Sequence, residues 1–424
     1  MTKTGNPIYR PVKRRTVLRG MAAAGGFVAT APYIGTSYAA GEDINIGVLL
    51  PFTGSQGAYG PDMRKAAELT AKKINDAGGI LGGRKFKLFF EDDESSPTAG
   101  LASTKKLLEI DKCVSVIGIW GSPIAMAIKP VLISANTCMM VSGAANAITE
   151  GDTKGLVWRY QAKASNWGSG MAQAMVERKY KTVSILAQQN AFVIAMVEPA
   201  KKVFEKAGVK VIDTVIYNPD QPSYRAEVQR IFGRNPAPDA VMCLGLLTDF
   251  VSIVRETARV DAKSKIMALS IMADAEGQFL KAVGPEAAEG IEHFQPAPPL
   301  SSPSYKKFQK LMGADENALF LFASNTHDQI CTLAMAMEKA KSTDSVAFTK
   351  EIRAVCNPPG EPVNDVLDAL TKIRAGTKIN FDGAGSSCDF DSRGDQINRS
   401  YAVYKIIGGK QVLQNIIKEP EASL

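Results

Sequence analysis

The chain has two histidines in 424 residues, and it contains no HExxH, GxSxG or phosphate-loop pattern. Six cysteines occur, none at CxxC spacing, which argues against a zinc or thiol-redox site. Beyond the first forty residues no run approaches the ~20 apolar residues that a bilayer-spanning helix needs. Acidic residues are missing altogether from residues 1–39, which hold Lys3, Arg10, Lys13, Arg14, Arg15 and Arg19. With those six set aside, 44 basic residues face 43 acidic ones, so the net charge of +7 belongs to the first segment. The remainder offers no electrostatic footprint for DNA or RNA. No catalytic constellation, cofactor or metal is expected, and an enzyme has no feature to stand on.

Three apparent signals fail on context. Gly78-Gly79-Ile80-Leu81-Gly82-Gly83 follows a helix and precedes a strand, the reverse of a dinucleotide fingerprint. Glu91-Asp92-Asp93-Glu94 lacks EF-hand spacing and reads as a solvated strand end. His327 and Asp328 are adjacent on a helix, where neighbouring side chains diverge, so they cannot form a catalytic pair with each other.

What is present begins with an export signal. Lys13-Arg14-Arg15-Thr16-Val17-Leu18 has the form of a twin-arginine signal, and a weakly apolar Ala/Gly stretch, Gly20–Ala31, follows it. Ser37-Tyr38-Ala39 puts small residues at −3 and −1 of a cut. The alternative, an N-terminal membrane anchor, is weakened by the glycines and by Pro32. The mature chain is expected to begin near Ala40 and to reside in the periplasm, where disulfides are permitted. Cys356 and Cys388, in Gly-, Pro- and Ser-rich sequence, form the candidate pair. Cys113 and Cys138 begin two apolar runs and pair only if those strands are neighbours. Cys243 and Cys331 read as buried thiols.

From residue 43 short apolar runs alternate with amphipathic stretches. Strands are expected at Ile44–Pro51, Lys85–Glu91, Val114–Ile119 and Cys138–Ser142, with helices at Met63–Ala77, Ala99–Ile110 and Ile124–Ser134 between them. A second series follows: strands at Val183–Ala187, Val209–Tyr217, Ala240–Leu244 and Lys265–Ser270, and helices at Val193–Ala207, Ser223–Phe232 and Phe250–Ala258. Alternation of this kind implies parallel sheets covered by helices, here an α/β chain of two lobes. Ligands of such sheets bind beyond the carboxyl ends of the strands. That selects loops 52–60, 119–123, 142–147, 188–193, 245–249 and 271–277.

The mature chain opens Ile46-Gly47-Val48-Leu49-Leu50-Pro51-Phe52-Thr53-Gly54, then Gly57-Ala58-Tyr59-Gly60. Ile74-Asn75-Asp76-Ala77-Gly78-Gly79-Ile80, Gly83-Arg84-Lys85 and Glu91-Asp92-Asp93 before Ser96-Pro97 follow in order. Val116-Ile117-Gly118, Ala288-Glu289-Gly290 and Phe390-Asp391 with Gly394-Asp395 extend the set. Together these resemble the leucine/isoleucine/valine-binding family of periplasmic proteins that serve ABC importers. The resemblance implies a type I periplasmic binding protein: two Rossmann-like lobes, three crossovers and a central cleft. By analogy the crossovers lie near Arg159–Gln161, Gly290–Pro296 and Asn380–Phe390. Lobe 1 is then 41–160 plus 297–385, and lobe 2 is 161–296 plus 386–424.

The resemblance also supplies site residues. Tyr59 packs on the ligand side chain. In Trp120-Gly121-Ser122-Pro123 the serine caps the next helix and, with neighbouring N–H groups, holds a carboxylate. Gly143-Ala144-Ala145 stands where relatives carry a threonine, so only backbone groups remain there for ligand. Phe192 and Leu246 replace polar or aromatic family positions in lobe 2, and Trp167 stands near the walls. Asp274 is the best match for the acid that pairs with a ligand ammonium, because an unpaired buried charge is costly. A branched-chain or aromatic amino acid is the default ligand, an amine-free aromatic or aliphatic carboxylate the rival. The expected partners are that small molecule and the permease of an ABC importer. A sensory ligand-binding module on the same fold is the competing role.

Overall fold

The computed structural model describes residues 41–273, 277–315, 318–397 and 399–418. The proposed export segment 1–39 and Asp274 lie outside the described residues. Strands β1 (Ile44–Leu50), β2 (Phe86–Asp92), β3 (Ser115–Ile119), β4 (Cys138–Val141) and β5 (Val157–Arg159) make one parallel sheet in the order β2-β1-β3-β4-β5. Helices α1 (Gly60–Asp76), α2 (Pro97–Glu109) and α3 (Ser122–Ser134) connect them. β3 and β4 are buried at every position, as continuous apolar runs must be when helices cover both faces.

The second sheet is built from β6 (Thr182–Gln188), β7 (Lys210–Tyr217), β8 (Ala240–Leu244), β9 (Lys265–Leu269) and β10 (Glu292–Ala297), mutually parallel. Its helices are α4 (Ala164–Glu177), α5 (Ala191–Lys206), α6 (Arg225–Ile231) and α7 (Leu247–Arg259), then the short α8 (Ser270–Ala273), α9 (Gln278–Val283) and α10 (Pro285–Ala288). The chain returns to the first lobe for α11 (Pro303–Leu311), α12 (Leu321–Ala340), α13 (Ser345–Phe348), α14 (Ile352–Cys356), the pair β11 (Glu361–Val363) and β12 (Ile379–Phe381), and α15 (Val366–Arg374). It ends in an antiparallel hairpin, β13 (Ser400–Ile407) and β14 (Lys410–Lys418), added to the edge of the second sheet beside β10.

Two departures from the sequence expectation concern the crossovers. Gly290–Pro296 lies largely within β10, laddered to β9 and β13, so the chain leaves the second sheet only after Ala297. Cys388 and Phe390, assigned to lobe 2, are buried in the lobe 1 core with Trp158, Tyr160 and Cys356. Phe390 sets its edge against Trp158 and Tyr160 at ring distances of 5.2 and 5.1 Å, and that packing holds the segment to lobe 1.

The cysteines also differ from expectation. Cys356 and Cys388 are free, buried thiols in the structure. Cys356 closes helix α14 rather than sitting in a loop, and its sulfur lies 3.8 Å from Thr332 Oγ1. Cys113 and Cys138 are unpaired because they point to opposite faces of the first sheet, one into each of two separate cores.

Helix α4 is among those that the periodicity did not announce. In α4 the interior glycines weaken the helical pattern, yet Gly168 lets α5 approach so closely that a Cβ there would meet Met196 O at 2.2 Å. The glycine is a packing device, and it keeps α4 tight on the lobe 2 core around Trp167, Phe294 and Tyr401.

Candidate functional site

The loop after β1 is tied to the end of β2. Asp92 accepts from the N–H groups of Phe52 and Thr53 and from Thr53 Oγ1, while Ser95 Oγ donates to Thr53 O and accepts from Gln56 N. Asp92 thus holds the strand-end loop in place, and its neighbour Asp93, expected at a solvated strand end, is fully buried. Tyr59 leaves that loop at the cap position of α1. Its ring stacks on Trp120 at 4.7 Å and 14°, and Phe322 stands edge-on to both at 5.3 Å. Tyr59 and Trp120 pack against the cores of both lobes. The aromatic cluster therefore stands at the junction.

Trp120 ends the β3 crossing and Gly121, not Ser122, occupies the cap of α3. Ser122 is the first helical residue, so its side chain is released from capping. Its Oγ accepts from Ala144 N and Ala145 N, both at 3.1 Å. This corrects two expectations. Ser122 does not cap the helix, and the N–H groups of Ala144 and Ala145 are already bonded to protein. With its oxygen accepting twice, the Ser122 hydroxyl has its own proton to donate. Gly143 completes the close approach, since a Cβ there would lie 3.2 Å from Trp120 O and 3.3 Å from Ser122 Cα.

A cavity of about 200 Å³ opens beside this cluster, lined from lobe 1 by Tyr59, Asp62 and Leu319–Ala323, and from lobe 2 by Ser270, Ile271 and Gln295. Of the residues chosen from sequence, Tyr59 lines it directly. Trp120 reaches it through its contacts with Tyr59 and Phe322, and Ser122 and Gly143–Ala145 are not among its lining residues. Phe192 and Leu246 do not line the cavity but pack on the lobe 2 core. Phe192 sets its edge on Trp167, and Trp167 is itself buried with Nε1 donating to Ala162 O.

Residues missed from sequence are Asp62, Ser270, Gln295, Phe320 and Phe322. Gln295 is 1% exposed and its Oε1 has no partner, a buried acceptor on the cavity wall. Trp120 Nε1 is likewise a buried donor without a partner. Unpaired buried polar atoms cost ~1–3 kcal/mol each, so both are sites where a ligand or water would be held. Phe320 and Phe322 sit at the entry of α12, a helix buried on nearly every face, which carries no amphipathic stripe to announce it.

Among the described residues no group of His, Cys, Asp and Glu is placed to hold a metal, and no helix is long and apolar enough to cross a membrane.

Residues 43–410 match the family model described as periplasmic binding protein. A Leu/Ile/Val-binding protein homolog from Brucella melitensis is 25% identical over 353 residues, 82% of this chain and 92% of the relative. Among solved structures, the leucine-binding protein LivK of Thermotoga maritima superimposes with a TM-score of 0.73 at 21% identity, covering 88% of this chain and 98% of that one. A solute-binding protein of an R. palustris ABC transporter, solved with benzoate, gives 0.69 at 18% identity, with 88% and 96% covered. The two sheets and the cleft between them are thus the type I periplasmic binding fold, and the chain belongs to the periplasmic binding protein family.

Proposed function

We propose that the protein is the extracytoplasmic receptor of an ABC importer and that it captures a small carboxylate with an apolar, preferably aromatic, body. The observation that carries this reading is the Tyr59–Trp120–Phe322 cluster, set where both lobe cores meet and with the Ser122 hydroxyl behind it. A flat apolar ligand stacks on such a surface, each aromatic pairing adding ~0.5–1.5 kcal/mol beyond the area it buries. The carboxylate accepts from the Ser122 O–H, from Trp120 Nε1–H and from the first turn of α3, whose dipole favours an anion. A ligand held from both lobes binds the closed form better and so shifts the molecule toward it. A micromolar dissociation constant corresponds to about −8 kcal/mol. The basic segment 1–39 exports the chain by the twin-arginine route, and an inner-membrane permease receives the closed form.

Asp62 favours a second reading. It is a carboxylate on the cavity wall, able to pair with the ammonium of an α-amino acid. The relatives divide the same way, one named for leucine and another solved with benzoate.

A calorimetric and thermal-shift panel of L-leucine, L-phenylalanine, benzoate and 4-hydroxybenzoate separates these readings. Selective stabilisation by the two benzoates supports the first. Binding of the amino acids alone replaces it with the second, and failure of uptake to change in a deletion strain would favour a sensory module.

A further inference from the structure

Arg159 ends β5 at the first crossover, is fully buried, and spends all five of its N–H donors. Nε donates to Asp395 Oδ1 at 2.7 Å, Nη1 to Ala144 O and Ala145 O at 2.9 and 2.8 Å, and Nη2 to Asn146 O and Thr149 Oγ1 at 3.2 and 2.8 Å. Thr149 Oγ1 in turn donates to Asp395 Oδ1 at 2.8 Å, and Lys163 Nζ stands 3.2 Å from Asp395 Oδ2. The backbones join too, with Arg159 N donating to Gly394 O and Gln396 N to Arg159 O. One side chain thus binds the third crossover to every carbonyl from Ala144 to Asn146. The N–H groups of Ala144 and Ala145 are the ones that Ser122 Oγ accepts.

A buried ion pair contributes little net stability, because desolvation offsets attraction. Its consequence lies in geometry. We propose that Arg159, anchored by Asp395, is a positioning residue that fixes the Ala144–Ala145 peptides, aims the Ser122 hydroxyl at the ligand, and makes the ligand loop and the hinge move as one body. With Ala144 O held by the guanidinium, the Ala145 N–H in the same peptide plane is fixed toward Ser122, and the Ala144 N–H one residue earlier is steadied through the shared Cα. With two donors on its oxygen, Ser122 has only its own proton to offer. Hinge bending that displaced Asp395 would therefore be felt at the anion-binding serine, which links affinity to closure. The proposal rests on Ser122 meeting the ligand, as in the reading above, but its first test needs no ligand.

Hydrogen exchange of residues 143–149 is compared in the wild type, Thr149→Val and Asp395→Asn, the threonine variant standing in if the aspartate variant fails to fold. Loss of one such buried bond is expected to speed exchange at Ala144 and Ala145 by about tenfold. Amides of β6 and β8 stay unchanged. Unaltered exchange at Ala144 and Ala145 would overturn the proposal. The second test is a double-mutant cycle with benzoate as probe, pairing Ser122→Ala with Thr149→Val. Non-additive losses, by roughly threefold or more, are expected because both act through one hydroxyl. Additive losses leave Arg159 a merely structural residue and reject the proposal. A wild type that binds no benzoate counts against the ligand reading, and exchange then decides the positioning role by itself.

Discussion

On the lobe 1 side of the cleft the contacts are tied down before a ligand arrives, whereas the lobe 2 side offers a short helix and a buried carbonyl oxygen without a partner. Tyr59 is set by a loop bonded to Asp92 and Ser95, and Ser122 by the peptides that Arg159 holds. Ser270 and Ile271, by contrast, belong to the four-residue α8, and the Gln295 oxygen has no partner. The difference assigns the two halves unequal tasks. A preorganised wall loses little freedom on binding and carries affinity. A wall with unmet hydrogen-bonding capacity gains only when a matching ligand closes against it, so it sets selectivity and closure.

If that division holds, truncations on lobe 1 weaken every ligand. Phe322→Ala removes the ring that meets both Tyr59 and Trp120 edge-on, and should weaken benzoate by roughly thirtyfold, about 2 kcal/mol in calorimetry. Equal binding by the variant would move the ligand off the cluster. Ser122→Ala should weaken benzoate by about tenfold, and it also strands two buried N–H groups, at a cost of about 2 kcal/mol in denaturant unfolding. A serine that served only the ligand would lose affinity without that loss of stability.

The lobe 1 interior also carries a buried histidine, His327. Thr70 Oγ1 lies 2.6 Å from Ala66 O, to which it donates, so it accepts from His327 Nδ1–H at 2.7 Å, and Nε2 is left to accept from the Cys331 thiol. Burial first, then the nearby Lys73, push the imidazole down to about 3, while Asp365 opposes them. A base depressed in the native state binds its proton mainly when unfolded. Lobe 1 should then lose about 1.4 kcal/mol per pH unit as pH falls from about 6.5 towards 3. Asp328, raised by burial to about 7, acts in the opposite sense over its own range. Comparing wild type with His327→Gln isolates the histidine: the variant's acid slope should be shallower, and an identical slope would show that the imidazole is charged in the fold.

Much of this architecture was legible because the period of the apolar pattern changes cleanly between strand and helix. Ala240–Leu244 and the neighbouring strands show it, and the loops at their carboxyl ends led to Tyr59 and Trp120. The lobe 2 half of the site was not legible. Phe192 and Leu246 follow the carboxyl ends of β6 and β8 yet pack on the lobe 2 core instead of lining the cavity, and no local pattern in the sequence separates the two outcomes. Gln295 and Phe322 were hidden for a related reason. β10 and α12 are buried on all sides, so nothing in their periodicity marks one face as functional. Ser122 was assigned to the cap one position too late, because the cap and the first helical residue differ only in backbone angle.

The finest distinction between the walls concerns Gln295. If lobe 2 reads the far end of the ligand, the unpartnered Gln295 Oε1 should prefer a ligand that brings a hydrogen-bond donor to it. 4-Hydroxybenzoate has such a group and benzoate does not, while their rings and carboxylates are the same. Gln295→Leu keeps most of the side-chain volume and removes the polar atoms. For 4-hydroxybenzoate the variant leaves a buried hydroxyl unmatched. For benzoate it removes an oxygen that was already unsatisfied, so affinity holds or improves. The ratio of the two dissociation constants should move towards benzoate by about fivefold, roughly 1 kcal/mol. Calorimetry on both ligands and both proteins gives the ratio directly. An unchanged ratio would mean that Gln295 points past the ligand, and selectivity would then fall to the lobe 1 wall as well.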